Sequence, residues 1–340
     1  MSQPRDVVAL AYGDREGIVE TTHFGALVVC AADGRLLASA GNPLSMQYWR
    51  SASKTIQALS VITSGAADRF ELTERELAQC CASHSGSEMH IETVLGILDK
   101  LGMDEAYLQC GVHPPGDATE RARLATAGEK PGPRHNNCSG KHAGMLASCL
   151  ALGADPATYL ELTHPVQRLI TEHLCLMSNA READLHFGHD GCGAPTAAQT
   201  LQAQALAWAR LARPNGLPDD LAAAVERIAA AMYVAPELLS SVGSYSARLI
   251  EAGGGDIICK GGAAGLFCMA VRNQGLGIAF KIADGSGETH AVIALATLAR
   301  LGIDLPDELT DELAQSPITN CHGRVVGHLQ PADFRLEMMA

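Results

Sequence analysis

Arg50-Ser51-Ala52-Ser53-Lys54 stands between an extended segment and an apolar-periodic run, Ile56, Leu59 and Ile62, whose spacing predicts a helix. Ser51 and Lys54 are three residues apart, so a helix puts them on one face. A hydroxyl and an amine so placed can serve as a nucleophile and its base. The same pattern also fits an ordinary first helical turn with a solvated lysine. Two features argue against that plain reading. The chain has six lysines beside nineteen arginines, and Lys54, Lys141 and Lys260 sit among small residues rather than in charged patches. Lysine gives up its proton when desolvated, and arginine does not. In addition, Lys260-Gly261-Gly262 follows the apolar run Ile257-Ile258-Cys259, so a second such lysine ends an expected strand.

Working outward from Ser51, Val7 to Tyr12 and Phe24 to Ala31 predict strands, and Asp33-Gly34 predicts a hairpin turn into Leu36-Leu37-Ala38. The Ser51 helix is expected to end near Gly65. From Thr73 to about Leu211 the pattern is helical, with Gly/Pro-rich breaks. Thr73-Glu74-Arg75-Glu76 has the form of a capping box. Helices are expected over Glu88–Leu101, Lys141–Leu152, Pro165–Met177, Thr196–Leu211 and Asp219–Tyr233. Cys110 to Arg134 holds four prolines and four glycines and is expected to be an irregular, functional connection. His186 to Pro195 is expected to be irregular as well. Strands return at Asp256–Lys260, Gly265–Val271 and Gly277–Ile282, followed by a helix over Glu288–Leu301. The last ~25 residues are expected to form a docked tail. The expected class is α/β, with an antiparallel sheet from both chain ends packed with helices, plus a helical insertion region. The chain is expected to be one unit over 1–340, its sheet part about 1–65 and 245–340 and its helical part about 66–244.

A chain of 340 residues, 47% hydrophobic and 19% charged, can bury a large core. A net charge of −13 argues against nucleic acid and anionic membrane surfaces as partners. Met1 to Asp6 has no apolar h-region, so no signal peptide is expected, and no apolar run is long enough to predict a membrane span. Eleven cysteines are then expected as reduced thiols in a cytoplasmic protein, most of them small core residues.

Three further stretches could carry chemistry. Ser83-His84-Ser85-Gly86 is a small-residue turn in its plain reading. In its functional one, Ser83 supplies a second hydroxyl, which Lys260 would pair as Lys54 pairs Ser51. Two ammonium groups held close disfavour each other's charge, which frees an amine to take a proton. His135-Asn136-Asn137-Cys138-Ser139-Gly140-Lys141-His142 is the densest polar stretch, and a helix N-cap at Ser139 or Asn137 explains only one of its residues. His189-Asp190-Gly191-Cys192-Gly193 is the last. Cys138 and Cys192, with Lys141, His142 or His189, offer soft donors for zinc. The two cysteines are 54 residues apart and lack the spacing of a structural zinc site.

Ser-x-x-Lys is the pairing of serine β-lactamases and penicillin-binding proteins, and Lys260-Gly261-Gly262 resembles their Lys-Thr-Gly with the middle residue replaced. Five motifs occur here in one family's order: Ser51-Ala52-Ser53-Lys54, Cys80-Cys81-Ala82-Ser83-His84, Asn137-Cys138-Ser139-Gly140-Lys141-His142, Asp190-Gly191-Cys192-Gly193 and Lys260-Gly261-Gly262. The chain resembles the Rhizobium etli-type L-asparaginases over about Val8 to Ile282. The resemblance implies a serine β-lactamase-like fold, Ser51 as nucleophile, Lys54 as its base, and Ser83 with Lys260 as a second couple. It makes Cys138, Lys141 and Cys192 the ligands of a zinc ion that supports substrate binding, with no organic cofactor. It also implies a homodimer. A lysine ligand must be neutral, which a dication and two thiolates can enforce. Asp190, Arg50 and His142 are the candidates for holding the substrate, Asp190 at its α-ammonium and Arg50 at its α-carboxylate. Ser85 and Ser87 crowd Ser83 and compete with it for the second serine's place. A glutaminase or another β-lactamase-fold hydrolase is the alternative within this chemistry. A non-catalytic zinc or redox module is the alternative outside it, and such a module has no use for Ser51 and Lys54.

Overall fold

Apolar runs near both ends of the chain build one sheet. In the computed structural model, which describes residues 6–339, the strands are β1 (Val8–Arg15), β2 (Ile18–Ala31), β3 (Leu36–Ala40), β4 (Met46–Tyr48), β5 (His186–His189), β6 (Pro195–Thr200), β7 (Ile257–Gly262), β8 (Leu266–Val271), β9 (Leu276–Ile282), β10 (Ser316–Thr319), β11 (Val325–Pro331) and β12 (Glu337–Met338). By internal contacts the chain divides into two compact units. The first holds the described residues up to Ala52, with Gln199–Arg213 and those from Arg248 onward. The second holds Ser53–Ala198 and Pro214–Ala247. The division falls between Ala52 and Ser53, so it passes through the Ser51/Lys54 motif.

The first unit carries a nine-stranded sheet in the order β10-β11-β1-β2-β9-β8-β7, with β3 on β2 and β12 on β3. The pairing is antiparallel, and the N-terminal hairpin meets the C-terminal strands through Val28↔Ala279. Every residue of β8 is buried. A strand covered on both faces needs a continuous apolar run rather than alternation, and Leu-Phe-Cys-Met-Ala-Val supplies it. The helix Leu201–Ala212 lies on β9, β2 and β8 with Trp208 fully buried. Its close approach requires Gly277, since a Cβ there would stand 2.0 Å from the Ala205 carbonyl oxygen.

The second unit is helical. Lys54–Thr63 is buried from Lys54 to Val61 and packs against Ser139–Ala151, Pro165–Ser178 and Asp219–Val234. Thr73 caps Glu74–Cys80 by the expected box: its Oγ1 accepts the Glu76 N–H at 3.3 Å, and Glu76 Oε2 accepts the Thr73 N–H at 2.7 Å. Ser139–Ala151 is buried over Ser139–Cys149. Gly140 lets it touch Glu74–Cys80, because a Cβ there would lie 2.3 Å from the Gln79 carbonyl oxygen.

Four expectations about elements need correction. His186–Pro195, expected to be irregular, begins with strand β5, which pairs with β6 through His186↔Ala198 and His189↔Pro195. The helix expected from Thr196 begins only at Leu201. Pro195–Thr200 is strand β6, and Thr200 Oγ1 accepts the Ala203 N–H at 3.2 Å as the cap. Cys110–Arg134 contains the helix Ala118–Ala127, capped by Asp117 and stopped by Gly128 at φ 66°. Its good helix formers were masked by flanking prolines and glycines. The C-terminal segment is woven into the sheet: β11 pairs with β1 and β12 with β3. All eleven cysteines are free thiols. Among the described residues, no helix is long and apolar enough to cross a membrane.

Candidate active site

Lys54, Lys141 and Lys260 are all buried, with 1%, 3% and 4% of their surface exposed. A buried ammonium is costly unless its N–H groups are bonded. Lys54 Nζ donates to the Ala82 carbonyl at 2.6 Å and to the Asn137 carbonyl at 3.4 Å, and it lies 2.8 Å from Ser83 Oγ. Carbonyls only accept, so they fix two of the N–H groups. The third position meets a hydroxyl, which can accept from an ammonium or donate to an amine. Both protonation states of Lys54 are thus fully bonded. Ser83 follows the helix Glu74–Cys80 and is held by its own N–H, which donates to the Leu239 carbonyl at 3.0 Å. Of its competitors, Ser87 Oγ lies 2.6 Å from His90 Nδ1, and the Ser85 carbonyl accepts the Asp117 N–H.

His84, next to Ser83, is a neutral structural link. Its Nδ1 accepts the Gly86 N–H at 3.1 Å, so Nε2 carries the proton and donates to Ser139 Oγ at 2.8 Å. Burial, with the neighbouring His90 and Lys54, holds its pKa well below the usual histidine range.

Cys138 precedes Ser139–Ala151, and Asn136 Oδ1 accepts its N–H at 2.8 Å. Lys141 lies one turn further along and donates to Cys192 Sγ at 2.9 Å. Cys192 sits in the turn between β5 and β6, which is closed by the Asp190 N–H on Ala194 and the Gly193 N–H on Asp190, each at 2.9 Å. A hydrogen bond between the Cys138 and Cys192 side chains shifts the two thiols in opposite directions. That bond, with the charges of Lys54 and Lys141, pulls the Cys138 thiol down against the opposing effect of burial. The same bond and burial push Cys192 up. Burial works to lower the Lys141 pKa, but Cys138, Cys192 and Asp190 outweigh it, and the net shift is upward. Among the described residues, no three His, Cys, Asp or Glu side chains are grouped for a metal. The Cys138–Lys141–Cys192 trio is a different donor set, two sulfurs and an amine, whose softness suits a zinc ion.

His142 is fully buried. Its Nδ1 lies 2.6 Å from Tyr159 Oη, which also accepts the Gln109 N–H at 2.9 Å. Burial, then Lys141 and Lys54, keep His142 neutral. Tyr159 escaped the sequence reading, as did Cys110, a buried thiol pushed to about 12 by burial and by Cys138. Neither belongs to a motif, and only tertiary packing brings them here.

In the first unit, Ser51 lies in the 3₁₀ turn Arg50–Ser53. Arg50 has φ 46°, a left-handed conformation that is costly for a side chain with a Cβ and is concentrated at functional sites. Trp49 anchors the turn through Nε1, which donates to Gln199 Oε1 at 2.7 Å. Lys260 lies on β7 opposite Cys268. Two residues on, a Cβ at Gly262 would lie 3.3 Å from the Trp49 carbonyl oxygen, so the Ser51 turn and the Lys260 strand are neighbours in this unit.

Residues 11–331 match the L-asparaginase II family. None of the curated proteins matches the chain. Among solved structures it is similar to a β-lactamase from Mycobacterium bovis, at 15% identity over 81% of this chain and 94% of that one, with a TM-score of 0.42. It is also similar to a D-alanine carboxypeptidase from Burkholderia cenocepacia (14%, 77% and 88%, 0.36) and a Bacillus glutaminase (15%, 77% and 84%, 0.34). These TM-scores lie below 0.5, and the architecture rests on the strand pairing given above.

Proposed function

Because the chain belongs to the L-asparaginase II family, we propose that it hydrolyses L-asparagine to L-aspartate and ammonia through an ester on Ser51. Membership makes it an amidohydrolase acting on a small amide. The choice of asparagine and the serine route are the proposal, and the bond between buried Lys54 and Ser83 carries it.

Lys54 takes the Ser51 proton as Ser51 Oγ attacks the side-chain amide carbon. The Ser51 N–H and an N–H from the strand after Lys260 hold the oxyanion. The C–N bond then breaks, and the leaving nitrogen takes the Ser83 proton and departs as ammonia. Lys54 returns a proton to Ser83 along their hydrogen bond. Water attacks the ester by the same route and releases aspartate. Lys260 is the second ammonium of the site. Arg50 is assigned to the substrate α-carboxylate and Asp190 to the α-ammonium, with His142 supporting the Lys141 side of the pocket. Cys138, Lys141 and Cys192 would hold zinc. When bound, it supplies a fixed positive centre that supports substrate binding.

Ammonia release from asparagine and glutamine, measured side by side with Ser51→Ala as control, tests this reading. Asparagine is expected to be preferred and Ser51→Ala to be inactive. Preference for glutamine would make the chain a glutaminase. An active Ser51→Ala protein would end the serine route.

A further inference from the structure

The Gly/Pro-rich segment beginning at Cys110 has no part in the chemistry above, yet it is held firmly. Asn136 Nδ2 donates to the Cys110 carbonyl at 2.8 Å and to that of Gly111 at 3.2 Å. At its other end, the Asp117 N–H donates to the Ser85 carbonyl at 2.8 Å. Between these two anchors the segment presents one side chain, His113, to residue 137.

The tautomer of His113 follows from its partners. Nδ1 lies 2.7 Å from the Pro114 carbonyl, which only accepts, so Nδ1 carries the proton. Nε2 is then an acceptor, and it takes the Asn137 N–H at 3.0 Å. The Asn137 carbonyl in turn accepts from Lys54 Nζ at 3.4 Å and from the His84 N–H at 3.2 Å. Residue 137 is therefore fixed through its N–H by His113, while its carbonyl serves as one of the two acceptors on Lys54. Asn137 is exposed and His113 half-buried, although Lys54 beneath them is buried. His113 thus stands at the open rim of this corner, two hydrogen bonds from the amine.

We propose that His113 is a positioning residue for Lys54: its Nε2 holds the Asn137 main chain so that the Asn137 carbonyl aims the Lys54 amine. This rests on the reading of Lys54 as the base of an amidohydrolase. Because His113 acts on the base rather than on the substrate, its loss falls on kcat and spares KM. Glutamine can place an amide oxygen where Nε2 stands and accept the same N–H. Alanine cannot.

The test is steady-state ammonia release by His113→Ala and His113→Gln, with thermal unfolding of both and Lys54→Ala as reference. His113→Ala is expected to lower kcat about tenfold, the effect of one misplaced hydrogen bond, with KM changed less than about threefold. His113→Gln is expected to recover to within about threefold of the parent. An unchanged kcat in His113→Ala overturns the proposal. A loss confined to KM overturns it too, since His113 would then contact substrate. A Gln variant as impaired as the Ala variant also overturns it, and remains decisive if His113→Ala proves unstable. An active Lys54→Ala protein would instead overturn the underlying reading of the base, an outcome separate from any result at His113.

Discussion

Lys54 Nζ stands 2.8 Å from Ser83 Oγ while main-chain carbonyls take its other two N–H directions. Ser83 is thus the partner in this set that can give Lys54 a proton as well as take one. Ser83→Ala leaves both carbonyl bonds in place, so unfolding is expected to shift little. Proton transfer to the leaving nitrogen is lost, and kcat is expected to fall by roughly 10²–10⁴. Ser85→Ala is expected to stay within a few-fold of the parent. Steady-state kinetics on the two variants decide between the serines, and the reverse ranking would move the second hydroxyl to Ser85.

Ser51 and Lys54 are proposed to act as one unit. Ser51→Ala and Lys54→Ala are each expected to remove nearly all ammonia release. The double variant should then lose little beyond either single one, because half a couple catalyses no better than none. Losses that add fully in free energy would show that the two residues work in separate steps.

The burial of the three lysines was legible because they are chemically out of place. A lysine among small residues in an arginine-using chain signals burial, and Lys54, Lys141 and Lys260 are all buried. The Thr73–Glu76 cap was legible because it is local. The contacts of His113 and Tyr159 were not, because His113 meets Asn137 across 24 residues and Tyr159 meets Gln109 across 50. The C-terminal strands were missed for the same reason: β11 pairs with β1 from the far end of the chain. The segment before Leu201 was misjudged because alanine and glutamine favour helix, whereas pairing with β5 imposes extended backbone on β6.

Gly140 and Gly96 test the packing of the helical unit. Both lie inside helices, where alanine is preferred by about 1 kcal/mol. At Gly96 the nearest atom to a new Cβ is Glu76 Oε1 at 3.8 Å, so Gly96→Ala is expected to stabilise by roughly 0.5–1 kcal/mol. At Gly140 the Cβ would collide with Gln79, and Gly140→Ala is expected to destabilise by about 1–3 kcal/mol. Urea midpoints give both signs. Stabilisation by Gly140→Ala would show that the two helices separate freely.

Stability should fall in mild acid. Burial holds His84 and His142 well below the usual histidine range, and holds His173 and His290 at about 4. In the unfolded chain these histidines take protons below about pH 6.5. From there downward the unfolded state binds more protons than the folded one, so stability drops as pH drops. Each histidine contributes roughly 1.4 kcal/mol per pH unit until its own folded pKa is reached, and nothing above pH 6.5. Denaturant titrations at pH 7.5, 6.5 and 5.5 should show a plateau followed by a fall. His173→Gln should make the fall shallower. A flat profile down to pH 5.5 would mean that these rings accept protons while folded.

Zinc should distinguish support from chemistry. Two cysteine sulfurs, with an amine 2.9 Å from one of them, offer donors to a soft dication once the thiols and Lys141 release their protons. Protein purified without chelator is expected to carry about one zinc per chain. Cys138→Ala and Cys192→Ala should both lose it. If the ion only shapes the substrate pocket, Cys138→Ala raises KM while part of kcat survives. If it activates water, Cys138→Ala is as inactive as Ser51→Ala. Metal analysis together with kinetics on Cys138→Ala separates these outcomes. Full activity in parent protein free of metal would leave the trio a structural or redox feature, with catalysis resting on Ser51, Ser83 and their lysines.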